Sequence, residues 1–281
     1  MKNRWSMIAG LCCSVLLLTA CSGLWQSLGY DSSRQGVSSS LVDFLYPQGE
    51  KPPEQDNVIP RLKLPLRVGL AFVPGNLHKG LSEGRKVELL NRVKQAFEQR
   101  DFIAKIEVIP EAYLRQGRGF DSIDQIARLY GLDVIALVSY DQVVYTEDSA
   151  ASLLYWTIVG AYVIKGSNND VDTFVDTAVF DVASRKLLFR APGTDHLKAR
   201  STLVGTVESV RKGQESGFAN AMADMTQNLK QALDEFIVRV KQEQVAEVSY
   251  RKGYTGGGGV LGPVLCIFLM VLAVVQRRFR F

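Results

Sequence analysis

Between Leu64 and Tyr145 the sequence switches repeatedly between two hydrophobic periods, and that switching limits the folds open to it. "LPLRVGLAFVP" puts Val68, Leu70 and Phe72 at alternate positions and closes on Pro74-Gly75, which predicts a strand and its turn. "LSEGRKVELLNRVKQAFEQR" spaces Val87, Leu90, Val93 and Phe97 by three or four, with Ser82 and Glu83 suited to a helix start. "FIAKIEVIP" predicts a second strand ending at Pro110. "FDSIDQIARLYG" predicts a short helix capped by Asp121 or Ser122, faced by Ile123, Ile126 and Tyr130, and stopped by Gly131. "DVIALVSYDQVVY" predicts a buried strand.

Beyond Tyr145 the pattern becomes strands alone. "SLLYWTIVGAYVI", "DTFVDTAVFDVAS" and "KLLFRAPG" predict three, the last two joined by a hairpin turn at Ala183-Ser184-Arg185. A long helix then shows Phe218, Met222, Met225, Leu229, Leu233, Phe236 and Val240 on one stripe. The expected class is α/β (α+β), in the order βαβαβ–βββ–α. A single mixed sheet with helices packed against it is the simplest layered solution.

The two ends read differently from this body. "MKNRWSMIAGLCCSVLLLTAC" has Lys2 and Arg4, an apolar centre, and small residues before Cys21, the pattern of a secretory signal. At the other end, Gly256, Gly257, Gly258 and Gly259 precede an apolar run, Val260 to Val275, without a charge. As a helix that run spans about 24 Å, short of a hydrocarbon core of roughly 30 Å. Arg277, Arg278 and Arg280 follow and would hold the end in the cytoplasm as a transmembrane stop. The expected division is a signal at 1–20, a tether at 21–61, a periplasmic body at 62–245, and a tail at 246–281 with its transmembrane helix at 260–275. In the tether, "SSRQGVSSS" and "PQGEKPPEQDN" favour extended chain. The apolar "LVDFLYP" between them either docks on a partner or covers an edge of the core.

Charge and cysteine usage follow the same division. The chain is +4 overall, with 33 basic and 29 acidic residues, and Lys2, Arg4, Arg277, Arg278 and Arg280 flank the two apolar end runs, which carry no acid. The rest is close to neutral, so the basic balance is no sign of a nucleic-acid partner. Cys12 and Cys13 fall in the signal, Cys21 at the start of the tether and Cys266 in the tail, which leaves the body without disulfide, thiol nucleophile or cysteine metal site.

No catalytic motif stands out. The chain has two histidines, His78 and His196. Asp195, His196 and Ser201 could suggest a triad, but near neighbours in a loop rarely converge. "NNDVD" with Asp176 could suggest calcium but lacks the spacing of a calcium loop, and reads as a solvated turn. Tyr155, Trp156 and Tyr162 suit either sheet packing or a ligand platform. No cofactor or metal is expected, and no enzymatic activity.

Leu18-Thr19-Ala20-Cys21 resembles the lipobox of bacterial lipoproteins. The resemblance implies lipidation of the Cys21 thiol, and Ser22 in place of Asp implies release to the outer membrane. Together with the glycine block, apolar helix and arginine cluster, it resembles the rhombotarget lipoprotein family, whose tail is of the GlyGly-CTERM or rhombotail type. "SSSLVDFLYP", "VIALVSYDQV", "YWTIVGAYVI" and "VDTAVFD" also look like that family's body. The family resemblance implies a Gram-negative envelope protein that is a substrate of rhombosortase, a rhomboid-type sorting protease. Its further partners would be the lipoprotein processing and sorting machinery, membrane lipid and an unknown envelope protein. More weakly, the strand and helix order resembles the CsgG, TolB-amino-terminal and penicillin-binding-protein-activator lipoproteins, which implies a non-catalytic binding or assembly domain. Two other readings stay open: an envelope hydrolase using residues near His196, and an inner-membrane scaffold that keeps both anchors.

Overall fold

The computed structural model describes residues 32–47, 58–75, 81–115, 119–148, 167–202 and 204–254. Its main sheet is built on β3 (Leu66–Phe72), which pairs in parallel with β4 (Ile103–Val108) on one side and β5 (Val134–Asp148) on the other. The six-stranded order is β4-β3-β5-β6-β7, with β6 at Ser167–Asp181 and β7 at Leu187–Ser201. β1 (Ser32–Ser39) also pairs with β5. The turn between β6 and β7 falls where the sequence places it, with Arg185 at φ 56°.

The crossover helices form for local reasons. In α2 (Glu83–Phe97) the Ser82 hydroxyl accepts from the Arg85 N–H, and Glu83 and Lys94 sit at the ends that favour their charges. α3 (Phe120–Tyr130) ends at Gly131, which takes the left-handed φ of 67° and donates its N–H to the Ala127 carbonyl. Its start differs from the expected Asp121 or Ser122 cap. Gly119 holds that position at φ 55°, and a side chain there would meet the Leu45 carbonyl oxygen at 2.2 Å. Close packing, rather than a capping hydroxyl, sets the entry of α3.

Residues 32–45 are not extended tether. Ser40 caps a short helix, α1 (Leu41–Leu45), and Val37, Phe44 and Leu45 are buried. "LVDFLYP" therefore covers an edge of the core. The folded body also runs past residue 245. β8 (Glu247–Tyr250) pairs in parallel with β2 (Arg61–Leu64), forming a second, two-stranded sheet beside the single one expected. α4 (Thr206–Glu243) is the long closing helix. The expected strand at 152–164, the signal segment and the apolar tail lie outside the described residues. No helix among the described residues is long and apolar enough to cross a membrane.

The chain divides into two compact units. The larger takes residues within 37–142, 173–195 and 218–254 of the described chain, and it holds two apolar clusters. Leu70 and Phe72 of β3 pack with Leu89, Leu90 and Val93 of α2 and with Phe218, Met222 and Met225 of α4. Ala71 and Val73, the alternate positions, pack with Ile123 and Ile126 of α3 and with Phe44 and Leu45 of α1. Each such side chain contributes about 1.5–3 kcal/mol when fully buried. The smaller unit takes residues within 32–36, 143–172 and 196–217. It is tied by a polar chain: Thr146 donates to Asn169 (3.2 Å), Asn169 to Ser201 (2.8 Å), and the Ser201 and Thr206 hydroxyls lie 3.0 Å apart.

Gly193 of β7 lets the backbone of α4 approach the sheet directly. A Cβ there would stand 2.2 Å from the Ala221 carbonyl oxygen and 2.4 Å from the Met225 nitrogen. Gly193→Ala should therefore cost about 1–3 kcal/mol by overpacking. A lower urea midpoint at unchanged slope is the expected result.

Candidate functional site

In sheets with parallel strands and helices on both faces, ligands favour the crevice beyond the carboxyl ends of the strands. Here Val73 to Gly75 follow β3, Glu111 follows β4, and Tyr140 lies well along β5. Two buried charges meet there: the Lys86 ammonium of α2 contacts the Glu111 carboxylate. Glu83 lies 3.8 Å from Lys86, and Arg115 bridges Glu111 (3.4 Å) and Glu83 (3.1 Å). Lys86 also stands 5.8 Å from the centre of the Tyr140 ring. Burial, and after it the charges of Glu111 and Glu83, push the Tyr140 phenol up to about 12, so it stays neutral at pH 7. Gly75 leaves room for that hydroxyl, which a Cβ would meet at 2.5 Å. Two cations thus face two carboxylates in a closed network.

Asp133, at the start of β5, is a second convergence. It accepts from the Arg67 N–H (2.9 Å), Nε (3.2 Å) and Nη2 (3.0 Å), and from Arg251 Nη2 at 2.8 and 2.7 Å. Burial pushes its carboxyl up, but the Arg67 hydrogen bonds and the charges of Arg67 and Arg251 outweigh it and hold the group below the usual carboxylate range. Arg67 and Arg185 also line a shallow polar hollow of about 540 Å³. Both are engaged, Arg185 with Asp124 at 2.6 Å and Asp121 at 3.3 Å.

The third feature is apolar. Between the sheet, α2 and α4 lies a cavity of about 90 Å³. A groove of about 390 Å³ adjoins it, walled by the end of α4 and by β2 and β8. Leu62, Leu66, Phe102, Leu233 and Phe236 line both. Lys94 is the one charged residue on the cavity wall, and Lys241 the one on the groove wall. Neither side chain has an ion-pair or hydrogen-bond partner among the described residues.

Cys21, Gly256, Gly257, Gly258, Gly259, Arg277, Arg278, Arg280, His78, Tyr155, Trp156 and Tyr162 lie outside the described residues. His196 is described, on β7 and half-exposed, with Nδ1 against the Asp172 carboxylate. Asp195 and Ser201 do not join it. Successive strand residues face opposite sides, so Asp195 points away from His196 and accepts instead from Asn220 at 3.3 Å, and Ser201 is bonded to Asn169. "NNDVD" is part of β6 and not a turn. Its carboxylates pair across to β7, Asp172 with His196 and Asp170 with Lys198 at 3.9 Å. Asp176 further along pairs with Arg190 at 3.1 Å. No group of three or more potential metal ligands exists among the described residues.

Sequence reasoning missed the Lys86–Glu111 pair, although a signal was present. Lys86 stands three and four positions before Leu89 and Leu90, on the buried stripe, while Val87 is only half-buried. A charge on the core side of an amphipathic helix calls for a partner.

No family model matches the chain, and no curated protein does. Solved structures do. A PelC dodecamer from Paraburkholderia phytofirmans is 11% identical, covering 70% of this chain and 99% of that one, at a TM-score of 0.28. A putative neuraminyllactose-binding hemagglutinin homolog from Helicobacter pylori is 12% identical, covering 69% and 97%, at a TM-score of 0.37. Likeness at this level carries no argument about role.

Lys86→Met leaves the buried Glu111 carboxylate with only the longer Arg115 contact and should lower stability by up to about 3–5 kcal/mol, whereas Lys86→Met with Glu111→Leu should recover most of it. A double-mutant cycle by urea unfolding measures this. The depressed Asp133 carboxyl gives stability that is full above the unfolded-state value near 4 and is lost as pH falls through the folded one, because the unfolded chain then binds the extra proton. Asp133→Asn should therefore be less stable at neutral pH and flatten the acid limb of the stability curve.

Proposed function

We propose that this protein is a lipid-anchored envelope protein whose C-terminal tail is processed by a rhombosortase-type protease, and that its body binds or assembles rather than catalyses. The observation that carries the reading is the pairing of a lipobox Cys21 with a tail of four glycines, an apolar run and three arginines. A rhomboid-type protease must draw the end of a membrane helix into extended form. Glycine costs about 1 kcal/mol per residue in a helix relative to alanine, and proline about 3. Gly256 to Gly259, Gly262 and Pro263 therefore make the outer end easy to unwind, while Arg277, Arg278 and Arg280 hold the other end.

For the body, the proposed kinship is with assembly modules of the CsgG and TolB-amino-terminal sort. The apolar cavity and groove support a binding role, since their walls offer contact area rather than reactive groups.

Removal of the tail has to precede delivery to the outer membrane. Carrying an arginine through the bilayer centre costs at least about 2.5–3.5 kcal/mol, and three stand beyond the apolar run. Intact mass of the mature protein is expected to show acyl chains on Cys21 and a C-terminus at or beside the glycine block. Replacing Gly256 to Gly259 with leucines should leave the tail uncut and the protein in the inner membrane. An uncut variant that still fractionates with the outer membrane would overturn the order of events. A full-length tail in the wild-type mature protein would replace the reading with that of a doubly anchored scaffold.

A further inference from the structure

We infer that the apolar cavity and its adjoining groove bind one long-chain fatty acid, with the chain end in the cavity and the carboxylate held by Lys241 at the groove. This deepens the binding role proposed above and rests on it.

Three observations carry the inference. The cavity is lined by side chains of β3, β5, α2 and α4, and its lining is carbon throughout, Lys94 contributing only its stem. A space so lined gives water too few partners to hold it, and it favours an apolar guest. Its size, about 90 Å³, admits the end of one chain and no ring system or second chain. The larger groove shares five side chains with it, so a guest that spans both rests its remainder against Leu64, Ile237, Val240 and Val248.

Charge decides the head group. No carboxylate lines the cavity or the groove, whereas each carries one lysine with no partner among the described residues. Lys94 is half-buried and Lys241 exposed, so each stem can lie along the apolar wall while its ammonium stays at the edge. An acyl ester or a neutral oil would leave both ammonium groups idle, whereas a free carboxylate uses one as its counter-ion. The ligand class is therefore a single-chain anionic amphiphile, and its source a free fatty acid.

The test uses the full chain in membrane vesicles and a photoactivatable palmitate carrying a diazirine near its methyl end, with cross-linked peptides mapped by mass spectrometry. Labelling is expected to concentrate on residues 62–70 and 229–240. Lys241→Glu, at an exposed position, should reduce that labelling about tenfold, as attraction for the carboxylate becomes repulsion. The matching long-chain alcohol probe should be unaffected by it. Leu233→Trp, which fills the shared wall, should abolish labelling by both probes. Label spread evenly along the body, or label at the groove unchanged by the charge reversal, overturns the proposal. The lipid and C-terminus of the mature protein are read separately by intact mass, so a failed labelling experiment leaves the processing reading to stand or fall alone.

Discussion

A strand without a solvent-facing side governs the larger unit. From Leu70 to Val73 every residue of β3 and its end is buried, so the two sets of alternating side chains each need a cover. α2 and α4 supply one and α1 and α3 the other. Parallel pairing on both flanks follows, because a strand whose successor lies beside it in the same direction must be reached by a crossover helix. Once the helices are committed to the two faces, the carboxyl ends of β3 and β4 meet the amino end of α2. That is why Lys86 and Glu111 come together away from water.

The crossover half of the fold was legible because its signals are local. Ser82, Gly131 and the three-four spacing of α2 and α3 each act within a turn or two of helix. What stayed hidden depends on distant partners. Ser32 to Ser39 is polar enough to pass for linker, yet it becomes β1 by pairing with β5. Glu247–Tyr250 is exposed along its length and has little hydrophobic pattern, and it is a strand because β2 lies beside it. The cavity was illegible for a related reason. Leu62, Phe102 and Leu233 look like ordinary core residues in sequence, and only packing shows that they stop short of filling the space between them.

Two charged clusters behave differently although both are largely satisfied. The Lys86 pair is sealed, so its value lies in being unbroken: hydrophobic replacement of both partners is tolerable, and loss of one is not. Asp133 is reached by solvent on one side and carries its effect through titration, with Arg67 and Arg251 as the opposing charges. The first cluster fixes the start of α2. The second ties the beginning of β5 to β3 and to the chain just beyond β8.

That last tie has a mechanical meaning. β8 lies parallel to β2 over Arg61–Leu64 and Glu247–Tyr250, and the chain leaves it through Arg251 and Tyr254, whose ring stacks on Tyr250 at 5.9 Å. A pull directed along the axis of β8 loads the rungs of this short ladder together in shear instead of peeling them one at a time. The Arg251 guanidinium, gripping Asp133 with two hydrogen bonds, adds a second attachment just beyond the end of the ladder. Force entering at the C-terminal side is thereby shared between β2 and the start of β5.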